Sequence, residues 1–322
     1  MNCKCKALTV AMAMAFSGGV YAQTDYPNRP IRMLVPNAPG SSVDTLSRII
    51  GNKLTEVIGQ QVVIDNRAGA GGIIGMEIAK SALPDGYTLI SATTAASTVA
   101  VLLQKNPSFD PLKDFDYVTQ FAVTANILAV HPAQPVKSVR ELIDHAKNQQ
   151  GKLNMASAGS GSQSHLSGAY FLSVANMPSL HVPYKGGGPS VAAVVAGEVH
   201  WTITPAPAIM SQVNAGRVRA IGHSLPTRSA LMGNIPPIAE TLPGFDYSGW
   251  QGFFLPKGTP RAIQERLRAA VIKTAHSPDV VKALGAQATE VVTGTPEEFR
   301  KVVQASLVNN AKVIKAIGLT AN

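Results

Sequence analysis

Ser162 and His165 lie three residues apart, the spacing that puts two side chains on one face of a helix. A serine beside a histidine is the pairing that nucleophilic catalysis uses. The surroundings speak against it. A nucleophile elbow needs Gly-x-Ser-x-Gly, and the order around Ser160 is Ala158-Gly159-Ser160-Gly161-Ser162. No acid stands nearby to orient the histidine, so a secreted hydrolase using Ser162 and His165 is only the enzyme alternative. The run Gly69-Ala70-Gly71-Gly72-Ile73-Ile74-Gly75 approaches a dinucleotide fingerprint, but its third glycine comes one place late. It reads as a glycine-rich entry to a helix. The seven histidines include no pair spaced four apart, and His181 and His200 belong to separate strands. Neither a metal nor a cofactor is expected.

What remains is a set of small, polar or glycine-rich loops at 37–42, 93–97, 157–164, 184–188 and 204–206. Each follows an apolar run that reads as a strand. The clearest is 31–48. There Met33, Leu34 and Val35 give a buried strand, and Pro39-Gly40-Ser41-Ser42 gives a turn. Leu46, Ile49, Ile50, Leu54 and Val57 then recur at helical spacing. The first amides of a helix lack internal partners and its dipole is positive there, so such a loop can seat an anion. The stretch 153–172 repeats the design. In open α/β sheets ligands bind beyond the carboxyl ends of the strands, so the loops should face one another around a small molecule. Asp44, at the start of the first helix, can cap that helix or contact a ligand.

The elements that position these loops alternate strand and helix, the pattern of a parallel sheet. Strands are expected at 61–65, 87–91, 115–121 and 126–131, the last two beside a first crossing into a second domain. Ser138 and Glu141 predict a capping box for a helix over 139–148, stopped by Gly151. Strands follow at 153–156, 180–183, 200–204 and 217–223, and 247–255 is the return crossing. The C-terminal part reads as helical. Thr259-Pro260 and Ser277-Pro278 are predicted starts, and Thr295 with Glu298 predicts a capping box. A last helix presents Phe299, Val302, Val303, Leu307, Val313 and Ile314 on one stripe, expected to pack on the first domain.

The N-terminus reads as a signal peptide: Lys4 and Lys6, an apolar run over 7–16, and Val20-Tyr21-Ala22 as a cleavage site. Both cysteines, Cys3 and Cys5, fall inside it. Thiol catalysis and disulfides are thereby excluded from the mature chain, and no later apolar run reaches the length of a membrane span. The formal charge is +9 over 322 residues. The basic residues are scattered and no Lys/Arg run is interleaved with aromatics, so no nucleic-acid partner is expected.

Several motifs, in this order and spacing, carry a resemblance. They are Tyr26-Pro27-Asn28-Arg29-Pro30-Ile31-Arg32, Pro39-Gly40 with Asp44 and Arg48, Asn66-Arg67 with Gly69-Ala70-Gly71-Gly72 and Gly75, and Pro84-Asp85-Gly86-Tyr87-Thr88-Leu89. Ser162 with His165-Leu166 and His181-Val182-Pro183-Tyr184-Lys185-Gly186 follow. From Tyr26 to the C-terminus the chain resembles the Bug family of extracytoplasmic solute receptors, the binding components of tripartite tricarboxylate transporters. Three positions depart from the family pattern: Asn37 stands for an aromatic, Ser41 for a second glycine and His200 for an aspartate.

The resemblance implies an α/β, two-domain periplasmic binding protein (a Venus flytrap, type II-like) with two interdomain crossings. Residues 1–22 would be the signal peptide, 23–123 with 245–322 the first domain and 124–244 the second. It implies a monomeric receptor that holds a small organic carboxylate through loop amides and hydroxyls. The acid could be a mono-, di- or tricarboxylate, an aromatic acid or an amino acid. The receptor would deliver it to the membrane subunits of the transporter, although a ligand-sensing role in signalling fits the same chain. Expected contacts in the first domain are Asn37, Pro39, Gly40, Ser41, Ser42, Asp44, Thr93 and Thr94. In the second they are Ser160, Gly161, Ser162, His165, Tyr184 and Ala206.

Overall fold

Eleven strands in the described residues divide into two sheets, and the chain passes between the sheets twice. The structure is a computed structural model that describes residues 26–149 and 152–319. The leader, both cysteines and the helix stop expected at Gly151 lie outside the described residues.

The first unit opens with β1 (Ile31–Val35), α1 (Ser42–Ile58), β2 (Val62–Asn66) and α2 (Ile73–Lys80). It continues with β3 (Thr88–Thr93), a π turn (Ala95–Val99) running into α3 (Ala100–Leu102), and β4 (Phe115–Thr124). Ala125 alone separates β4 from β5 (Asn126–Val130). Then come α4 (Val139–Asn148), β6 (Asn154–Ser157), α5 (Gln163–Ala175), β7 (Leu180–Pro183), α6 (Gly187–Ala196), β8 (Trp201–Pro205), α7 (Ala206–Asn214) and β9 (Arg219–His223). The chain returns in β10 (Gly249–Pro256) and ends with α8 (Arg261–Ala275), α9 (Pro278–Gly285), β11 (Thr289–Val291) and α10 (Pro296–Ala316).

The six-stranded sheet runs β11-β4-β10-β3-β1-β2, and the five-stranded sheet runs β7-β6-β8-β5-β9. The strand-helix alternation predicts parallel pairing. It holds for β2-β1-β3 and β7-β6-β8. The crossing strands are antiparallel to their neighbours, β10 against β3 and β4, and β5 against β8 and β9, so both sheets are mixed. Each sheet is covered on both faces, as a buried parallel sheet must be. One face of the first carries Leu46, Ile50, Leu54, Leu267 and Val271 from α1 and α8, and the other carries Ile73, Met76, Phe299 and Val303. The second sheet is packed between α4 and α5 on one side and α6 and α7 on the other.

The structure corrects several local expectations. α7 begins where Pro205-Ala206-Pro207 reads only as the end of a strand. β11 is a strand in a stretch read as helical. Ser138 caps α4, but Glu141 accepts from the Lys137 N–H (2.7 Å), one residue earlier than a capping box requires. The Thr259 hydroxyl donates to the Pro256 carbonyl (2.7 Å) and the Ser277 hydroxyl to that of Thr274 (2.7 Å), so neither caps a helix. The box at Thr295 and Glu298 is present with both bonds. α10 serves both units. Phe299 and Val303 join the core of the first sheet, whereas Ile314 lies in the core of the second. Between them Asn310, buried, accepts from the Tyr247 hydroxyl (2.7 Å) and donates to the Thr98 hydroxyl (3.0 Å), beside both crossings.

Candidate functional site

A cleft of about 430 Å³ opens between the two sheets at the carboxyl ends of their parallel strands. Its first wall is the β1–α1 loop and the glycine-rich run before α2. Asn37 and Ala38 lie there with Ser41, Ser42 and Val43 from the first turn of α1. The Ser41 hydroxyl caps α1 by accepting from the Asp44 N–H (3.4 Å). The Asn37 side chain is turned back on its own loop and accepts from the Ala38 N–H (2.9 Å). Residues 68–72 complete this wall. Glycine here is a packing need: a Cβ on Gly72, which has φ +105°, would stand 2.6 Å from the Ala96 methyl, and one on Gly75, in the first turn of α2, 2.7 Å from Pro36. Only glycine lets α2 start so close to β1.

The second wall is built from the starts of α5, α6 and α7. Ser162, Gln163 and Ser164 open α5, Gly186 and Gly187 open α6, and Pro205 and Ala208 flank the first turn of α7. The Ser162 hydroxyl accepts from the His165 N–H (3.2 Å), and the Ser164 hydroxyl accepts from the Ala158 N–H (2.9 Å). α2, α6 and α7 have no side-chain cap. The first N–H of α2, on Ile73, donates to the Ala70 carbonyl and that of α7, on Ala206, to the Ala125 carbonyl, so what these two starts offer the cleft is the positive end of the helix dipole. The crossing strands join the walls through Thr124, Gly249, Trp250 and Gln251, and Thr93 and Thr94 lie at the end of β3. Thr94 accepts from the Trp250 N–H (3.0 Å). Lys185 is the only charged side chain among the lining residues, none of which is acidic.

Of the residues expected from sequence, Asn37, Ser41, Ser42, Thr93, Thr94 and Ser162 line the cleft. The others do not. Pro39 and Gly40 are exposed on the outer turn, as is Ser160. Ala206 is wholly buried in the second unit's core, and its N–H donates to the Ala125 carbonyl (2.9 Å). Tyr184 packs on that same core. Asp44 is buried and fully engaged: it accepts from the Gly40 N–H (2.9 Å), Asn66 (2.9 Å) and Arg48 (2.9 Å). Burial raises its pKa, but the bonds from Arg48, Gly40 and Asn66 outweigh that and hold it below the usual carboxylate value. His165 turns its Nδ1 to accept from the Gly161 N–H (3.0 Å), and its ring stacks on His181 at 4.1 Å. Burial lowers the pKa of His165. Burial and the neighbouring ring lower that of His181 to about 4.

This geometry does not make Ser162 a nucleophile. Its oxygen caps a helix and pairs with Ser164 (3.1 Å), and the nitrogen of His165 nearest the loop is spent on Gly161. Sequence reasoning singles out the 157–164 loop but not Gln163 within it, and it misses Gln251, Thr124 and Trp250 because they sit inside strands rather than in loops. Among the described residues, no group of three His, Asp or Glu could hold a metal ion.

Two covered α/β units, joined by two crossings and holding a cleft at their strand ends, define a two-domain binding protein of the periplasmic type. The chain belongs to the tripartite tricarboxylate transporter receptor family: the family model matches residues 46–319. A protein encoded between tcbD and tcbE in Pseudomonas sp. strain P51 is 38% identical over 97% of this chain and 94% of its own length. Protein BugT of Bordetella pertussis is 32% identical over 91% of this chain and 90% of its own. The solved structure of Rpa4515 from R. palustris with adipate superposes with a TM-score of 0.89 at 32% identity, covering 92% of this chain and 99% of that one.

Proposed function

We propose that this chain is a periplasmic receptor that captures a small organic acid as its anion in the cleft and hands it to the membrane subunits of a tripartite tricarboxylate transporter. One observation carries the reading: five helices of eight residues or more (α1, α2, α5, α6 and α7) begin on or beside a cleft whose lining includes Lys185 and no acidic side chain. Helix starts favour negative charge, and hydrogen bonds to an ionised acceptor are the stronger kind. Serine and threonine hydroxyls add neutral donors. The adipate held by a relative of the same fold supports a carboxylate as the anion. The sequence supports export through the signal peptide over 1–22, and among the described residues no helix is long and apolar enough to cross a membrane.

Capture uses the two domains, 23–123 with 245–322 and 124–244, as jaws that turn about the crossings at Ala125 and before Gly249. An acid first meets the amides of one wall, and closure brings the other wall's helix starts onto it, a hinge motion. The acid leaves chemically unchanged.

The reading is tested by thermal unfolding of the cleaved protein with a panel of mono-, di- and tricarboxylates, aromatic acids and amino acids. An acid at a hundred times its Kd adds about 2.7 kcal/mol of stability, a rise of several degrees for a chain of this length. Lys185→Met should weaken that acid's binding. Failure of every acid to shift the transition, with no acid released on denaturing the purified protein, overturns it.

A further inference from the structure

The back of the cleft holds hydrogen-bonding atoms that the protein leaves without partners. Gln163, at the first position of α5, is 9% exposed, and neither its Nε2 nor its Oε1 has a protein partner. Its amide reaches the crossing strands: a Cβ built on Gly249 would lie 3.6 Å from Nε2, in van der Waals contact with it. Gly249 pairs with Thr124 across β10 and β4. The Thr124 Oγ1 is also unpartnered in a residue 3% exposed, and two residues along β10 the Oε1 of Gln251, 4% exposed, is unpartnered as well. All three residues line the cleft.

Buried polar groups in native proteins are nearly always satisfied, so a cluster of orphans in one wall of a cavity marks where a guest completes them. The kind of guest follows from the inventory. An amide has a donor end and an acceptor end whichever way it is turned, and both ends of Gln163 are free. Gln251 adds a carbonyl acceptor, and Thr124 a hydroxyl that can do either. A carboxylate only accepts. It would meet the carbonyls of Gln163 and Gln251 with like partial charge. Burying an unpaired charge costs far more than burying a neutral group that is hydrogen-bonded. A plain methyl end would leave all four atoms unsatisfied.

Resting on the carboxylate reading above, we propose that the preferred ligand is a monoanion. One end is the carboxylate taken by the helix starts. The other is an uncharged group that both donates and accepts a hydrogen bond, a hydroxyl or a primary amide, read by Gln163, Thr124 and Gln251. These three residues set the specificity.

The test is calorimetry with matched acids that differ only at the far end. One frame is the straight-chain acids of four to eight carbons with a methyl, hydroxyl, primary amide or carboxylate terminus. The other is benzoate with hydrogen, hydroxyl, carbamoyl or carboxyl at the meta or para position. In the frame and length that bind best, the hydroxyl or amide acid should bind at least about tenfold tighter than both the unsubstituted acid and the diacid. In Gln163→Leu, and independently in Gln251→Leu should the first not fold, the ratio of the two Kd values should collapse toward one. A diacid or an unsubstituted acid that binds as tightly as the hydroxyl and amide acids overturns the proposal and leaves the carboxylate receptor standing, as does a variant that keeps the wild-type ratio. Binding by none of the acids overturns the carboxylate reading, and this proposal with it.

Discussion

The β1–α1 loop and the β6–α5 loop face each other across the cleft and are built to one plan with different chemistry. In each, a serine caps the helix (Ser41, Ser162), and the residue three positions on reaches back to accept the N–H of the glycine just before the cap. In the first loop that acceptor is Asp44, bonded to Gly40. In the second it is His165, bonded to Gly161. The same reach, to the residue before the cap, appears where Glu141 takes the Lys137 N–H. Asp44 is a carboxylate anchored by Arg48 and Asn66, whereas His165 is a neutral imidazole stacked on His181. One wall of the cleft is therefore pinned by charge and the other by a ring that must stay deprotonated.

The largest break in the comparison comes from removing the charged anchor. Asp44→Ala leaves the Gly40 N–H without its acceptor and takes one of two from the Asn66 amide, which keeps the Asn37 carbonyl. Arg48, whose side chain is half exposed, can turn to water. The loss should be about 1–3 kcal/mol, the cost of hydrogen bonds to a charged group, read as a lower urea midpoint. Ligand binding should weaken too, because the amides of the first turn of α1 lose their fixed position. Asp44→Asn keeps an acceptor for Gly40 and should recover part of both losses. An alanine variant as stable as the wild type would show that the loop is held by its packing instead.

Acid separates the two walls next. His165 and His181 are held neutral below their ordinary value of 6.5, His181 down to about 4. The unfolded chain then binds more protons than the native one across that window, so stability must fall as pH drops from 6.5 toward 4. Protonating Nδ1 of His165 also removes the acceptor that Gly161 uses. The Asp44 side keeps its bonds throughout this range, because its pKa is lowered from 3.8. Urea unfolding at several pH values should show the slope in the wild type and a flatter line in the double variant His165→Gln, His181→Asn. Ligand affinity should decline over the same window. An identical slope in the double variant would move the acid sensitivity elsewhere.

Much of this plan was legible in the sequence, because apolar runs followed by small polar residues fix where a strand ends and a helix begins. Thus Ser41, Ser42, Thr93, Thr94 and Ser162 were found as cleft residues from type and position alone. Asp44 and His165 were also placed at the right helical turn. Whether a side chain at that position reaches forward to a ligand or back to its own loop depends on its rotamer and its neighbours, which no spacing reports. The run 69–75 reads as a helix entry, and it leads into α2, but the side of the sheet on which that entry opens depends on how two units pack. Thr124 and Gln251 are invisible for another reason. They belong to the crossing strands, and only the long-range pairing of β4 with β10 brings them together at the cavity, whereas Gln163 stands in the 157–164 loop that the sequence singles out. α7 carried a signal that could have been used, a proline in its first turn.

The smallest expected difference separates the two caps themselves. Replacing a capping serine by alanine costs about 1 kcal/mol in general, but the two sites are not equal. The Ser41 hydroxyl makes one long bond, 3.4 Å, to the Asp44 N–H. The Ser162 hydroxyl is closer to the His165 N–H, at 3.2 Å, and also pairs with the Ser164 hydroxyl, which in turn accepts the Ala158 N–H. Ser162→Ala therefore loosens both ends of the 158–164 loop, whereas in Ser41→Ala the bonds of Asp44 still hold the turn. The urea midpoint should fall further for Ser162→Ala than for Ser41→Ala, by a few tenths of a kcal/mol in free energy. Equal losses would show that each hydroxyl acts only as a cap. A larger loss at Ser41 would mean that the carboxylate of Asp44 needs the cap to hold its place, and that the charged wall is the more fragile of the two.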